Sequence, residues 1–436
     1  MHEFTVGFGK VEITPPLTIP YLGFCPNRHA LFKGVHDPLY ARSLYVSSGG
    51  EEAVVISADA FGFSNSILGE ARNFTWEVRE KISRRTGIPS ANIMLASSHI
   101  HSTPDTLNFR PLVSEVPCAS EWLEKLQEQI ALSAETAWRK RFKASLKIGK
   151  GRVENISLNR RGGDFLDEEI IVLVFESSER EKIFLVNFAC HPVIVQVQDL
   201  ISADYVGVVE TTVENTVKNT KGCLFIQGAC GDINPVCGTT NFNDAYLTGL
   251  SIAGEVMRIY GGISLSKSNY PVEPTVLKTG LIEASFPSRP LPPQEDIEKL
   301  LKDIEGEKRR MEHAESEEER IEILRRICMI EEILTRVKEG DGHFLGELQL
   351  IRMGNALLFG IPGEPFSELG MEVKKMSRPF TGIPAGYANG YLGYIAPPSA
   401  WEKGGYEVSL GPWSKVGPEA FNIIIEAFKK VKEAVQ

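Results

Sequence analysis

Residues 92–102, NIMLASSHIHS, hold the transition on which the fold reading turns: an apolar, strand-like run opens into small polar residues and then two histidines two positions apart. Side chains at i and i+2 of an extended chain project to the same side. His99 and His101 are therefore expected on one face at the carboxyl end of a strand, where α/β proteins place their chemistry. Neutral imidazole binds zinc and titrates near pH 7, so the pair reads as a metal ligand beside an acid–base group. The motif is short, and a turn cap next to a solvated histidine would also account for it.

Outward from this stretch, apolar runs at 53–57, 170–175, 183–188 and 223–227 alternate with helical patterns near 64–86, 119–138, 204–219 and 243–260. Strands with so few polar interruptions are covered on both faces. The expected fold is α/β: a layered mixed β-sheet core flanked by helices. From about 290 to 340 charged helix formers take over, with apolar residues at helical spacing in IEILRRICMIEEIL, which predicts an inserted charged helical hairpin. Its charges form a solvated face, and Ile323, Ile327, Ile330 and Leu334 make a stripe through which a homo-oligomer could form. The core resumes with ELQLIRMG, ALLFGIPG, a helix from about 365, a glycine- and tyrosine-rich segment at 381–413 and a terminal helix from about 417. Residues 1–436 thus read as a single domain carrying an insertion at 290–340.

The formal net charge of −10, without a long basic cluster, argues against a nucleic-acid partner. The N-terminal MHEFTVGFGKVEITPP lacks a basic region followed by an apolar one, and no run approaches the roughly 18 apolar residues of a transmembrane segment, so the expected location is the cytoplasm. The seven cysteines, Cys25, Cys118, Cys190, Cys223, Cys230, Cys237 and Cys328, contain no Cys-x-x-Cys pair. Free core and loop thiols are expected rather than a disulfide framework or a zinc knuckle, including at Cys223, Cys230 and Cys237, whose seven-residue spacing is too wide.

Five further segments share the strand-end pattern: LNRRGGD (158–164), NFACHPVIV (187–195), FIQGACGDINP (225–235), LLFGIPGEPF (357–366) and YANGYLGYIAPP (387–398). His99, His191 and Glu364 together would form a His₂Glu set with a position left for a reactive water. Singly, His191 also reads as a strand-end histidine and Glu364 as a carboxylate at a helix N-terminus.

In order and wording, VGFGKVEITPP, GVHDPLYARSLYV, SADAFGF, ASSHIHSTPD, LNRR, NFACHP, GACGDINP, IPGEPFSELG, NGYLGYIAPP and GGYEV resemble the neutral/alkaline non-lysosomal ceramidase family, over almost the whole chain outside the hairpin. The resemblance implies Zn²⁺ held by His99, His191, Glu364 and Tyr394. It places His101, Arg160 and Tyr406 around the scissile amide, with Tyr394 and Tyr406 twelve positions apart as in the family's tyrosine pair. The implied activity is zinc-dependent hydrolysis of the amide bond of an N-acyl substrate, ceramide-like or a related small molecule, by a metal-activated water. Arg160 and Tyr406 would stabilise the oxyanion, and His101 would move the proton to the leaving amine.

Several assignments have alternatives. Arg160 could pair with Asp164 or Asp167, Tyr394 could stand behind the ligands rather than among them, and Asp232 could orient a ligating histidine. Asn234 replaces the family's usual serine, and Ser102-Thr103-Pro104-Asp105 stands where the family usually has Ser-Gly-Pro-Gly. The secreted ceramidases' leader and C-terminal immunoglobulin-like domain have no counterpart in the sequence. Competing functions are a zinc hydrolase of a non-lipid amide or ester and a catalytically silent zinc-binding protein. A metallo-β-lactamase-like site lacks its downstream aspartate and histidine, since positions 103 and 104 are Thr and Pro.

Overall fold

The computed structural model describes residues 3–22, 30–109, 112–163, 165–266 and 269–436. Eight strands form a large sheet in the order Thr220–Gln227, Lys182–Phe188, Glu169–Glu176, Phe142–Arg152, Phe4–Glu12, Tyr40–Ser48, Glu51–Ala58 and Ile93–Ser97. Neighbours are antiparallel except for the outermost pair at each edge, which is parallel. Parallel neighbours need a crossover, supplied by the helices Asp204–Thr216 at one edge and Phe74–Thr86 at the other.

A second sheet, Leu277–Pro287, His343–Met353, Ala356–Gly360 and Thr381–Ala385, packs on one face of the first. One apolar cluster joins Leu44, Val55, Leu173 and Leu185 of the large sheet to Ile351, Leu358 and Ile383 of the small one. Helices Phe74–Thr86 and Ala119–Arg139 cover part of the large sheet's other face, and Asp204–Thr216 and Phe242–Leu265 cover the rest. Ser367–Met376 and Glu419–Val435 cover the small sheet. The expected layered α/β core is present, as helix–sheet–sheet–helix. The close approach of helix to sheet requires glycine: a Cβ on Gly9 would lie 1.9 Å from Ser133 O.

The helix expected from 64 starts only at Phe74, because the Asn73 side chain accepts from Trp76 N and caps the first turn there; left-handed Gly87 ends it. The hairpin consists of Gln294–Glu312 and Glu317–Lys338, and Ile323 and Ile330 of the apolar stripe are buried within the chain itself. Cys118, Cys190, Cys223, Cys230 and Cys237 are free thiols, as expected. Cys328 departs from that expectation: it is disulfide-bonded, which sequence spacing did not disclose, and Cys25 lies outside the described residues. Among the described residues no helix is long and apolar enough to cross a membrane.

The two halves of the large sheet are joined by only three paired residues, Phe4–Val6 with Phe142–Ala144, and its two edges approach each other. Gln227 Nε2, at the end of one edge strand, donates to Ser98 O just past the other, at 3.3 Å. Residues 386–389 run through the same gap: Gly386 N donates to Gln227 O at 3.0 Å and Asn389 N to Leu95 O at 2.7 Å.

Candidate metal centre

His99 and His101 converge, but not by strand alternation. The strand ends at Ser97, and His99 has φ +63, a left-handed backbone that a non-glycine residue adopts only when its surroundings enforce it. Ser98 N donates to Ala58 O at 2.9 Å, and the His99 ring stacks between Phe61, at 4.8 Å, and Tyr387, at 3.8 Å. His99 Nδ1 lies 2.6 Å from Phe61 O. A carbonyl only accepts, so Nδ1 carries the proton and Nε2 presents a bare lone pair.

His191 follows the strand Lys182–Phe188 and is fixed in the same way. Its Nδ1 donates to Cys230 O at 2.6 Å and Ile233 O at 3.1 Å, leaving Nε2 as the free donor atom. Glu364 lies on the two-residue strand Glu364–Pro365 rather than at a helix end, paired in parallel register with Tyr394–Ile395 so that Glu364 faces Tyr394. Its carboxylate reaches both histidines: Oε2 is 3.2 Å from His191 Nε2 and 3.4 Å from His99 Nε2. His101 Nε2 is 3.3 Å from His99 Nε2. His99, His101 and His191 form a buried group that could hold a metal ion.

These separations fit a tetrahedral cation, since donors about 2.1 Å from such an ion stand about 3.4 Å apart. The protonation pattern agrees. Burial pushes the His191 imidazole down to about 4, and burial together with His99 and His191 holds His101 well below the usual histidine range. Burial alone would raise Glu364, but the adjacent His99 and His191 outweigh it and keep the carboxyl well below its usual range. Imidazole Nε2 lone pairs facing a carboxylate oxygen at 3.2 and 3.4 Å repel unless a proton or a cation lies between them, so the donor set fits a resident metal.

Arg160 lines the same site. Its Nη2 donates to Tyr394 Oη at 3.0 Å and Gly231 O at 2.7 Å, Nη1 to Asn234 Oδ1 at 3.3 Å, and Nε to Glu407 Oε1 at 2.8 Å. Its ion pair is therefore with Glu407; Asp167 pairs instead with Lys374 at 2.6 Å, and Asp164 lies outside the described residues. Burial raises the Tyr394 phenol well above its ordinary value, with the Arg160 guanidinium pulling the other way. Tyr406 is half-exposed at the rim, stacked on Trp413 at 4.6 Å, with its ring centroid 6.1 Å from that of Tyr394.

Asp232 does not orient a histidine directly. It accepts from Ser367 N at 2.7 Å, Ser367 Oγ at 2.9 Å and Asn159 Nδ2 at 2.7 Å, fixing the turn whose Cys230 and Ile233 carbonyls hold His191. Sequence reasoning also missed three residues. Tyr391 Oη donates to Glu364 Oε1 at 2.5 Å, Tyr387 Oη to Oε2 at 3.4 Å, and Glu407 bridges Arg160 and Arg161. The tyrosine spacing in YANGYLGY was the available signal; Glu407 stands in GGYEV, one of the motifs that carry the family resemblance, but no spacing tied it to Arg160 and Arg161.

A sequence model described as "Neutral/alkaline non-lysosomal ceramidase, N-terminal" matches residues 4–247. Among solved structures, neutral ceramidase from Pseudomonas aeruginosa aligns with all of this chain over 74% of its own, at 17% identity and a TM-score of 0.73. A ceramidase complexed with C2 aligns with all of this chain over 76% of its own, at 16% identity and a TM-score of 0.74. At such identities the structural likeness shows a shared fold. No curated protein sequence matches the chain.

Proposed function

Because this chain belongs to the neutral/alkaline non-lysosomal ceramidase family, we propose that it is a zinc-dependent amidohydrolase that cleaves the amide bond of a ceramide or a related N-acyl compound. The observation that carries the reading is the meeting of three buried imidazoles and an ionised carboxylate beside a fixed guanidinium. His99, His191 and Glu364 would hold the ion. A zinc ion there would supply Lewis-acid polarisation of a carbonyl and lower the pKa of water toward about 7.

The side chains around it supply the rest. Arg160, pinned through all three nitrogens, is a donor that needs no reorganisation when charge develops on the amide oxygen, and Tyr406 supplies a second hydroxyl at the rim. Each such donor is typically worth about 10²–10³ in rate. With His101 as the fourth ligand, Tyr394, which accepts from Arg160, would keep its own proton to donate. With Tyr394 as the fourth ligand, His101, kept neutral by burial, would take the proton from the attacking water and pass it to the leaving amine.

The place of fourth ligand has two candidates. The family resemblance assigns it to Tyr394, whereas the 3.3 Å separation from His99 Nε2 favours His101. Metal content separates them: the substitution that removes the ligand, His101→Ala or Tyr394→Phe, lowers zinc per protein, and the other leaves it unchanged. The function itself is tested by mass-spectrometric detection of cleavage over a panel from ceramides to short N-acyl amines, with and without chelator. Chelator-sensitive cleavage is expected. Zinc-loaded protein that cleaves no member of the panel would overturn the reading in favour of a silent zinc-binding protein.

A further inference from the structure

Beyond the metal centre, on the far side of Arg160, lies a cleft of about 470 Å³. Its lining includes the cationic side chains of Arg160, Arg161 and Lys403, and among the described residues a single carboxylate, Glu407. Glu407 is 4% exposed and divided between two guanidiniums: Oε1 accepts from Arg160 Nε at 2.8 Å, and Oε2 accepts from Arg161 Nη1. One negative charge thus offsets two positive ones at the cleft floor, and Lys403 adds a third at its edge.

The cleft is built around this excess. Arg161 Nη2 donates to Gly404 O at 2.5 Å and Ala400 O at 3.2 Å. Gly404 and Gly405 have φ +68 and +109, and a Cβ on Gly405 would lie 2.6 Å from Arg161 Nη1. Two left-handed glycines therefore lay the chain over the guanidinium, a course that residues with side chains would resist. Tyr406 and Arg160 border both the cleft and the metal centre, so a substrate placed for hydrolysis has this cleft as its neighbour.

We infer that the cleft binds an anionic group, a carboxylate or its equivalent, on the part of the substrate leading out past Arg160 and Tyr406. N-acyl amino acids are then preferred to uncharged N-acyl amines. The partly buried, uncompensated charge gives the physical reason: a substrate anion gains more there than in water, and a neutral hydroxyl gains little.

The inference rests on the amidase reading, and its test is separable from it. Sulfonamide analogues of N-dodecanoylglycine and N-dodecanoylethanolamine have no hydrolysable amide, so calorimetric binding to the zinc-loaded chain reads the cleft without turnover. The anionic analogue is expected to bind about tenfold more tightly, and Lys403→Glu to reduce that ratio about tenfold, with a smaller ratio at high salt. Equal affinities for the two analogues, or a ratio untouched by Lys403→Glu, would overturn the inference. Failure to cleave the parent amides would instead count against the amidase reading, whatever the analogues do.

Discussion

The hydroxyl of Tyr391 touches the one carboxylate oxygen of Glu364 that neither His99 nor His191 approaches. By holding Oε1 it aims Oε2 at the histidines, as outer hydrogen bonds do at metal sites. Tyr391→Phe is expected to weaken zinc affinity about 10- to 100-fold, measured by competition with a chromogenic chelator; unchanged affinity would remove Tyr391 from the site's support. Asp204 is expected to make a pH-dependent contribution whose sign follows from its burial. Its carboxyl is pushed from 3.8 up to about 6 by burial, against hydrogen bonds from Tyr205 N and Val195 N. The folded state therefore binds this proton more tightly. The contribution is fully present below pH 3.8 and is lost as pH rises through about 6, on the order of 3 kcal/mol. Denaturant titrations between pH 4 and 7 should show that slope in the parent protein and not in Asp204→Asn. The donor residues His99, His191 and Glu364 were visible in sequence as strand-end residues, but Tyr391, Tyr387 and Glu407 act through hydrogen bonds to side chains far along the chain, which no local pattern encodes.

Between elements, fit is decided by backbone approach. Gly9 on the strand Phe4–Glu12 lies under the helix Ala119–Arg139, and Gly9→Ala directs a methyl group at Ser133 O. Backbone cannot move aside as a flexible side chain does, so a loss of about 1–3 kcal/mol is expected in chemical denaturation. The hairpin is tied at its base by Arg336, which donates to Gly340 O at 2.7 Å, Ser288 Oγ at 2.5 Å and Lys415 O at 3.1 Å. Arg336→Ala leaves these acceptors without their donor, at about 1–3 kcal/mol for each that stays buried. Faster proteolysis within 290–340 is the expected result, with the rest of the chain intact. Strands and helices were legible because their apolar runs have the period and length of buried elements. The late start of the helix at Phe74 was not, because it depends on the single cap at Asn73.

At the scale of the whole molecule, the candidate metal centre joins one edge strand of the large sheet, the strand next to its other edge and an inner strand of the small sheet: His99 follows Ile93–Ser97, His191 follows Lys182–Phe188, and Glu364 follows Ala356–Gly360. A cation bound there links all three. Zinc at about 1,000 times its dissociation constant should stabilise the fold by about 4 kcal/mol. Chelation is therefore expected to lower the melting temperature by several degrees, and an unchanged melting curve would argue against a metal that bridges the layers.

Hydrophobic periodicity determined by itself which segments are strands and helices, that the sheets are covered on both faces, and that the hairpin is an insertion, because burial and repeat are local properties of the chain. Residue chemistry likewise marked the histidines and Glu364 as donors. Only the tertiary structure decided that the core holds two sheets, that opposite edges of the large one meet, and that His99 turns left-handed to meet His101. It also decided that Arg160 pairs with Glu407, a residue 247 positions away. These outcomes depend on contacts between segments distant along the chain, which are not written in the spacing of neighbouring residues.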